Sequence, residues 1–273
     1  MSVYANRGEA AGTYWNPAQY LKFTDHRLRP ALELLDRVPL AAPRVIYDLG
    51  CGSGNVTRQI ANRWPDATVY GMDNSQEMLD KAASEPSAIH WIAGDVKTWS
   101  PKETPDLIYS NAALQWVDGH DTLFPSLISH LEPGGCLAVQ VPLSWGAPSH
   151  RLMREILAAG GPGNTPIGDA ALRTTVGRKW VDDPEDYYDL LAGCTSSLDI
   201  WSTEYIQVLS GNDPVLEWVS GTGLRPILNG LNDVDRDVFL NVYRERLRTL
   251  YPTRPDGYTL YPFQRLFIVA VVL

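Results

Sequence analysis

Cysteine is scarce in this chain of 273 residues: only Cys51, Cys136 and Cys194 are present, odd in number and widely spaced. They form neither a disulfide framework nor a zinc spacing. Histidine is almost as rare, and His26, His90, His120, His130 and His150 fall at no metal-ligand spacing, so no metal is expected. Long apolar runs are missing as well. The start Met1–Arg7 carries no signal-peptide core, no stretch approaches transmembrane length, and a cytoplasmic protein without membrane contact is the simple reading. Basic residues are few, 23 against 32 acids, giving a net charge of −9 with no Lys/Arg cluster. Nucleic-acid binding rests on phosphate neutralisation, so the expected partner is a small molecule, met by a monomer or small homo-oligomer. What is plentiful is hydrophobic side chains, at 44%, enough for one sizeable α/β domain with a helical insertion.

The most informative stretch is Val45-Ile46-Tyr47-Asp48-Leu49-Gly50-Cys51-Gly52-Ser53-Gly54-Asn55. An apolar strand ends near an acid, three glycines alternate, and a helix opens at Asn55. Alternating glycines let the backbone turn sharply and approach a ligand closely. The dinucleotide fingerprint G-x-G-x-x-G is not met, because Asn55 stands at its third glycine and Gly54 comes one residue early. No G-K-[ST] follows, which excludes a phosphate-binding Walker loop. An acid at Asp48 is awkward beside pyrophosphate but suits a cationic ligand such as S-adenosylmethionine.

Two further acids follow at useful intervals. Ala67–Met72 reads as a second strand ending at Asp73 and Asn74, about 20 residues past the first glycine, where a ribose-binding carboxylate belongs. Ile89–Ala93 reads as a third strand, followed by Gly94-Asp95-Val96, an acid and a backbone N–H able to meet an adenine ring. Each feature alone is ordinary turn chemistry. Together, three acids after three successive strands point to S-adenosylmethionine.

The elements alternate along the chain. A helical start at Asn16-Pro17, with a second start near Thr24-Asp25, precedes the first strand. Helices are expected over 56–64, 76–83 and 120–130, and strands over 106–110 and 136–141. Alternation of this kind implies a parallel sheet with right-handed crossovers. From Gly160 to about Asp183 the chain turns Gly/Pro-rich and reads as a loop or flap. A strand over 197–208, helices over 213–221 and 234–250, and a last strand over 266–272 complete the pattern. Residues 1–14 form a leader, expected to be flexible, and 15–273 one domain. Within it, 15–40 is an N-terminal helical cap, 41–144 the cofactor-binding half, and 145–273 the substrate-side half, with a helical insertion at about 211–252.

From Trp15 to Ala270 the chain resembles the trans-aconitate methyltransferases, class I S-adenosylmethionine-dependent carboxyl O-methyltransferases. The resemblance rests on Trp15–Phe23, Ser110-Asn111-Ala112-Ala113-Leu114-Gln115-Trp116, Asp199–Thr203, Trp218-Val219-Ser220-Gly221-Thr222-Gly223-Leu224-Arg225-Pro226 and Arg265–Ala270. It implies an α/β fold, a doubly wound, Rossmann-like seven-stranded sheet, mostly parallel with the last strand antiparallel, a helical N-terminal segment and a helical cover before that strand. It also implies that Asp48, Gly50, Asp73, Asp95, Val96 and Asn111 contact the cofactor. The cofactor set is completed by Cys51, Gly52, Asn55, Asn74 and Tyr20. The segment from Gly160 to Arg178 departs from the family pattern.

Methylating a carboxylate needs little proton transfer, since an acid with a pKa of about 4 is already ionised near neutrality. No catalytic base is therefore assigned. A polycarboxylate approaching a −9 protein needs local cations, first Arg225, then Arg265 and Arg29, with Gln115, Trp116, Trp145 and Tyr261 as walls and donors. Core packing is the plainer role for each aromatic. Two other readings stay open: methylation of another small carboxylic or hydroxylated metabolite, and a cofactor-binding protein on the same fold that transfers no methyl group.

Overall fold

The computed structural model describes residues 24–273. The leader and residues 15–23 of the expected cap, with Tyr20, lie outside them. The described elements run α1 (Thr24–Arg37), β1 (Val45–Leu49), α2 (Asn55–Arg63), β2 (Thr68–Asp73), α3 (Gln76–Ala83), β3 (His90–Ala93), β4 (Leu107–Asn111), α4 (His120–Ser129) and β5 (Cys136–Pro142). There follow α5 (Pro148–Ala159), α6 (Ala170–Gly177), α7 (Pro184–Leu191), β6 (Thr195–Ser210), α8 (Pro214–Ser220), α9 (Arg225–Gly230), α10 (Asp233–Leu250) and β7 (Tyr258–Val272).

The chain divides into two compact units. The first, built from residues 25–147, 179–207 and 262–273, is organised by the sheet, whose strand order is β3-β2-β1-β4-β5-β7-β6. Pairings from β3 to β5 are parallel and β5 meets β7 antiparallel, as the seven-stranded reading expects. Parallel strands covered on both faces read as unbroken apolar runs. β1, β4 and β5 follow that rule, with Ile46, Tyr47, Leu49, Leu107, Ile108, Tyr109, Leu137 and Val139 buried. One face packs Leu123, Phe124 and Leu127 of α4 and Tyr187 of α7; the other packs Leu34 and Leu35 of α1 and Ile60 of α2.

The second unit takes in residues 148–178 and 208–261 and is mainly helical. Its caps are visible locally: Asp169 accepts from Leu172 N at 2.7 Å and Asn232 from Asp235 N at 2.9 Å. The sheet-bearing unit has its own, a reciprocal capping box of Asp183 and Asp186 with Pro184 at the first turn of α7. These caps correct the expectation of an unstructured segment over 160–183. Within it α6 occupies residues 170–177, while 160–169 and 178–183 carry no α-helix. Its glycine content masked a helix that Asp169 announces. β7 likewise begins at Tyr258, well before the expected Leu266. Residues 258–265 alternate exposed and buried, and Pro262 falls beyond the register with β5, which starts at Arg265, so its missing N–H breaks no bond there. No helix among the described residues is long and apolar enough to cross a membrane.

Candidate functional site

The corner after β1 is built from backbone. Gly50, Gly52 and Gly54 all have left-handed φ, at 79°, 54° and 79°. A Cβ on Gly50 would fall 2.1 Å from that of Ala113, so this glycine lets the loop lie against the turn after β4. Below the loop, the Trp91 indole fills the space that side chains at Gly54 and Gly71 would need. Arg58 ties the assembly together. It donates to Ser53 O at 3.1 Å and Ala82 O at 2.6 Å, and its guanidinium lies 5.6 Å from the Trp91 ring centre.

The loop N–H groups have internal acceptors. Those of Gly50 and Cys51 donate to Met72 O, that of Gly54 to Cys51 O, and that of Gly52 to Asp73 Oδ2 at 2.8 Å. A loop that spends its donors this way is not a phosphate cradle, which fits the missing third dinucleotide glycine. Asp73 Oδ1 also accepts from Ser75 N at 2.9 Å. Each carboxylate oxygen keeps a lone pair for further donors such as ribose hydroxyls.

Asp48 lies behind the loop, buried, with Thr57 Oγ1 donating to its Oδ2 at 2.6 Å. Burial pushes its carboxyl up to about 7, the Thr57 bond opposing and nearby Asp73 adding to the rise. The same burial raises the Cys51 thiol, with Asp48 and Asp73 adding to it. Asp95 is exposed and bonds Lys97 N at 3.0 Å, beside Val96, while Lys97 pairs with Asp118. Asn55 and Asn74 are exposed, Asn55 opening α2 and Asn74 following β2.

After β4 comes a tight turn. Asn111 ends the strand, Ala112 adopts φ 53°, rare for a residue with a side chain, and Leu114–Trp116 form one 3-10 turn. The Gln115 amide nitrogen donates to Ala112 O at 2.6 Å. His120 braces the turn: one ring nitrogen lies 2.9 Å from Leu114 O and the other 2.5 Å from the Tyr187 hydroxyl. A carbonyl only accepts, so the nitrogen facing Leu114 carries the hydrogen and Tyr187 donates to the other. His120, which fell at no metal-ligand spacing in the sequence, is buried. Trp116 is half exposed and not a core residue, and Trp145, after β5, is 42% exposed.

The proposed cations lie on different elements. Arg29, exposed on α1, pairs with Glu33 at 2.8 Å and overlies the Tyr205 ring. Arg265 is buried in β7, donating to Gln140 Oε1 at 3.2 Å, with Phe263 against its guanidinium. Arg225 belongs to the helical unit, as the first residue of α9. Tyr261, in the same unit, is fully buried and bonded to Ser149 Oγ at 3.1 Å.

That Ser149 belongs to a network the sequence did not disclose. Its hydroxyl also lies 3.2 Å from His150 Nδ1, and Tyr243 donates to its carbonyl at 3.3 Å. The other edge of the His150 ring sits where a Gly223 Cβ would be, 2.5 Å from Nε2. Burial lowers His150 to about 4, with Arg154 adding to the effect, so its ring is neutral near pH 7. The signal was the glycine in Thr222-Gly223-Leu224, two residues before Arg225.

Residues 46–135 match a methyltransferase-domain family model. The chain is 47% identical over 256 residues to a trans-aconitate 2-methyltransferase of Methylobacterium radiotolerans, covering 94% of this chain and 97% of that one. To the enzyme of that name from Streptomyces avermitilis it is 47% identical over 269 residues, covering 96% and 98%. Its fold is similar to phosphoethanolamine N-methyltransferase 2 of Haemonchus contortus, solved with S-adenosyl-L-methionine. The TM-score is 0.52 at 15% identity, covering 89% of this chain and 52% of that one.

Proposed function

The chain belongs to the trans-aconitate 2-methyltransferase family of S-adenosylmethionine-dependent methyltransferases, and from that premise we propose that it esterifies a small polycarboxylic acid, trans-aconitate first. The observation that carries this reading is similarity over nearly the whole length to relatives of that name, including the helical unit with Arg225. A family model confined to residues 46–135 speaks only for methyl transfer in general.

The bound cofactor supplies an electrophilic methyl on a sulfonium. The residues fit such a group: a glycine corner with open space where a Gly52 Cβ would stand, acids at the ends of β2 and β3, and loop donors withheld from phosphate. In this reading Asp73 takes the ribose hydroxyls, Asp95 and Val96 the adenine, and Gly50, Cys51, Gly52, Asn55, Asn74 and Asn111 line the path between. The acid's own carboxylate is the nucleophile, and the enzyme needs no general base. Its work is to align that oxygen with the methyl, and held near-attack geometry contributes on the order of 7–11 kcal/mol in favourable cases. Carboxylate and sulfonium charges diminish together in the transition state, so exclusion of water would assist the step.

Arg225 is the cation assigned to the remote carboxylates. Trp116 and Trp145 offer exposed aromatic surface as walls. The substrate is a free acid in solution, with no nucleic acid expected for a protein of charge −9, and the cytoplasm is the proposed compartment.

The test is a methyl-transfer assay over trans-aconitate, cis-aconitate, citrate, isocitrate, itaconate and aromatic acids, with the ester identified by mass spectrometry. A monomethyl ester formed fastest from trans-aconitate is expected. No ester from any tricarboxylate would overturn the assignment. Arg225→Ala should raise the Michaelis constant for the acid about tenfold or more and leave cofactor affinity unchanged. Equal effects on both would make Arg225 structural.

A further inference from the structure

Two amide oxygens at the turn after β4, Asn111 Oδ1 and Gln115 Oε1, are buried and have no hydrogen-bond donor among the described residues. Buried acceptors without donors are rare and costly, on the order of 1–3 kcal/mol each. Neither can be relieved by rotating the Gln115 amide. Its nitrogen stands 2.6 Å from Ala112 O, a position only a donor can hold, so the orphan is the oxygen. The backbone carries a second cost at the same place, the left-handed Ala112 between them. Strain and unsatisfied acceptors coincide where Gly50 lets the cofactor loop come closest, against Ala113.

The sheet order tells which donor belongs there. Asp73 and Asp95 follow β2 and β3, on one side of β1, whereas the turn follows β4 on its other side. An adenosine held over β2 and β3 therefore sends its amino-acid end across β1 towards β4. The donor on that end is the α-ammonium, with three N–H groups.

The geometry points to Gln115, together with Asn111, as the receptor for the cofactor's α-ammonium through their two amide oxygens. This reassigns Gln115, which the sequence reading placed among the walls and donors for the acid. It rests on the cofactor reading above.

The test uses the full-length protein and two ligands, S-adenosylhomocysteine and its analogue lacking the α-amino group, measured by calorimetry. Wild type should prefer the amino ligand by about tenfold or more, the size expected for hydrogen bonds to a charged group. Gln115→Leu should erase most of that preference by weakening the amino ligand about tenfold and the desamino ligand less than twofold. Asn111→Ala, which removes only the other orphan oxygen and leaves the Gln115–Ala112 bond in place, should also reduce the preference, and serves if the leucine variant does not fold. Equal weakening of both ligands in Gln115→Leu, or an unchanged preference, would overturn the proposal. So would an unchanged preference in Asn111→Ala. Failure of wild type to bind either ligand would instead sink the cofactor reading itself.

Discussion

The corner after β1 and the helical unit of residues 148–178 and 208–261 reach order by opposite means. The corner is made of backbone: three left-handed glycines, N–H groups spent on Met72, Cys51 and Asp73, and an indole beneath. The helical unit is made of side chains. Tyr243, Tyr261, Ser149 and His150 form a buried polar network, and Asp213 draws both Arg244 and Arg248, the latter at 2.8 Å. Backbone-built sites require particular residues, above all glycine, at particular places. Networks of side chains can be assembled from many sequences, because any helix face can supply a member. The first kind suits a cofactor common to many enzymes and, in the proposed reading, the second suits an acid that must be told from its isomers.

The comparison breaks first at Gly50. Gly50→Ala places a Cβ 2.1 Å from Ala113 at a φ that side chains avoid, and should cost more than about 3 kcal/mol of stability and abolish cofactor binding. Chemical denaturation with calorimetry checks both, and a stable variant that still binds would show the corner to be less rigid than described. Asp73→Ala removes the acceptor that holds Gly52 and, in the proposed reading, takes the ribose hydroxyls. S-adenosylhomocysteine affinity should fall about tenfold to a hundredfold while the Michaelis constant for the acid holds.

Asp48 sharpens the contrast through pH. Its folded carboxyl, near 7, lies above the ordinary value of about 4, so the folded state holds a proton that the unfolded state has lost. The stability this proton carries is complete below about pH 4 and is gone once the pH has risen through 7. Between pH 5 and 8 the apoprotein should therefore lose about 2 kcal/mol that Asp48→Asn does not lose. Parallel urea midpoints for the two proteins across that range would refute it.

The smallest effect is expected in the helical unit. Gly223→Ala pushes on the His150 ring and should raise the acid's Michaelis constant a few-fold with cofactor affinity intact; removing the ring in the double variant with His150→Ala should restore it. An equal change in both constants would mean that the two regions do not divide the work.

Legibility followed the same line. β1, β4, β5 and the glycine turn were readable because burial on both faces leaves unbroken apolar runs and the turn demands glycine. α6 was not, since the glycines at 160–168 hid a cap at Asp169, and the first half of β7 was not, since its residues alternate exposed and buried instead of forming an apolar run. His120 and His150 gave no spacing to read. Their partners, Tyr187 and Ser149 with Gly223, are fixed by packing, and two of the three lie more than sixty residues away.

By itself the sequence determined the cofactor corner, the parallel order of the sheet and the family. Each depends on local chemistry, such as a residue that must lack a Cβ, an acid at a strand end, or a run that must be buried. Only the tertiary structure decided which polar atoms remain without donors, that Gln115 presents its oxygen, and that the Asp48 carboxyl is held near 7. Those depend on solvent exclusion and on hydrogen bonds between distant segments, which come into being only when the chain has closed around them.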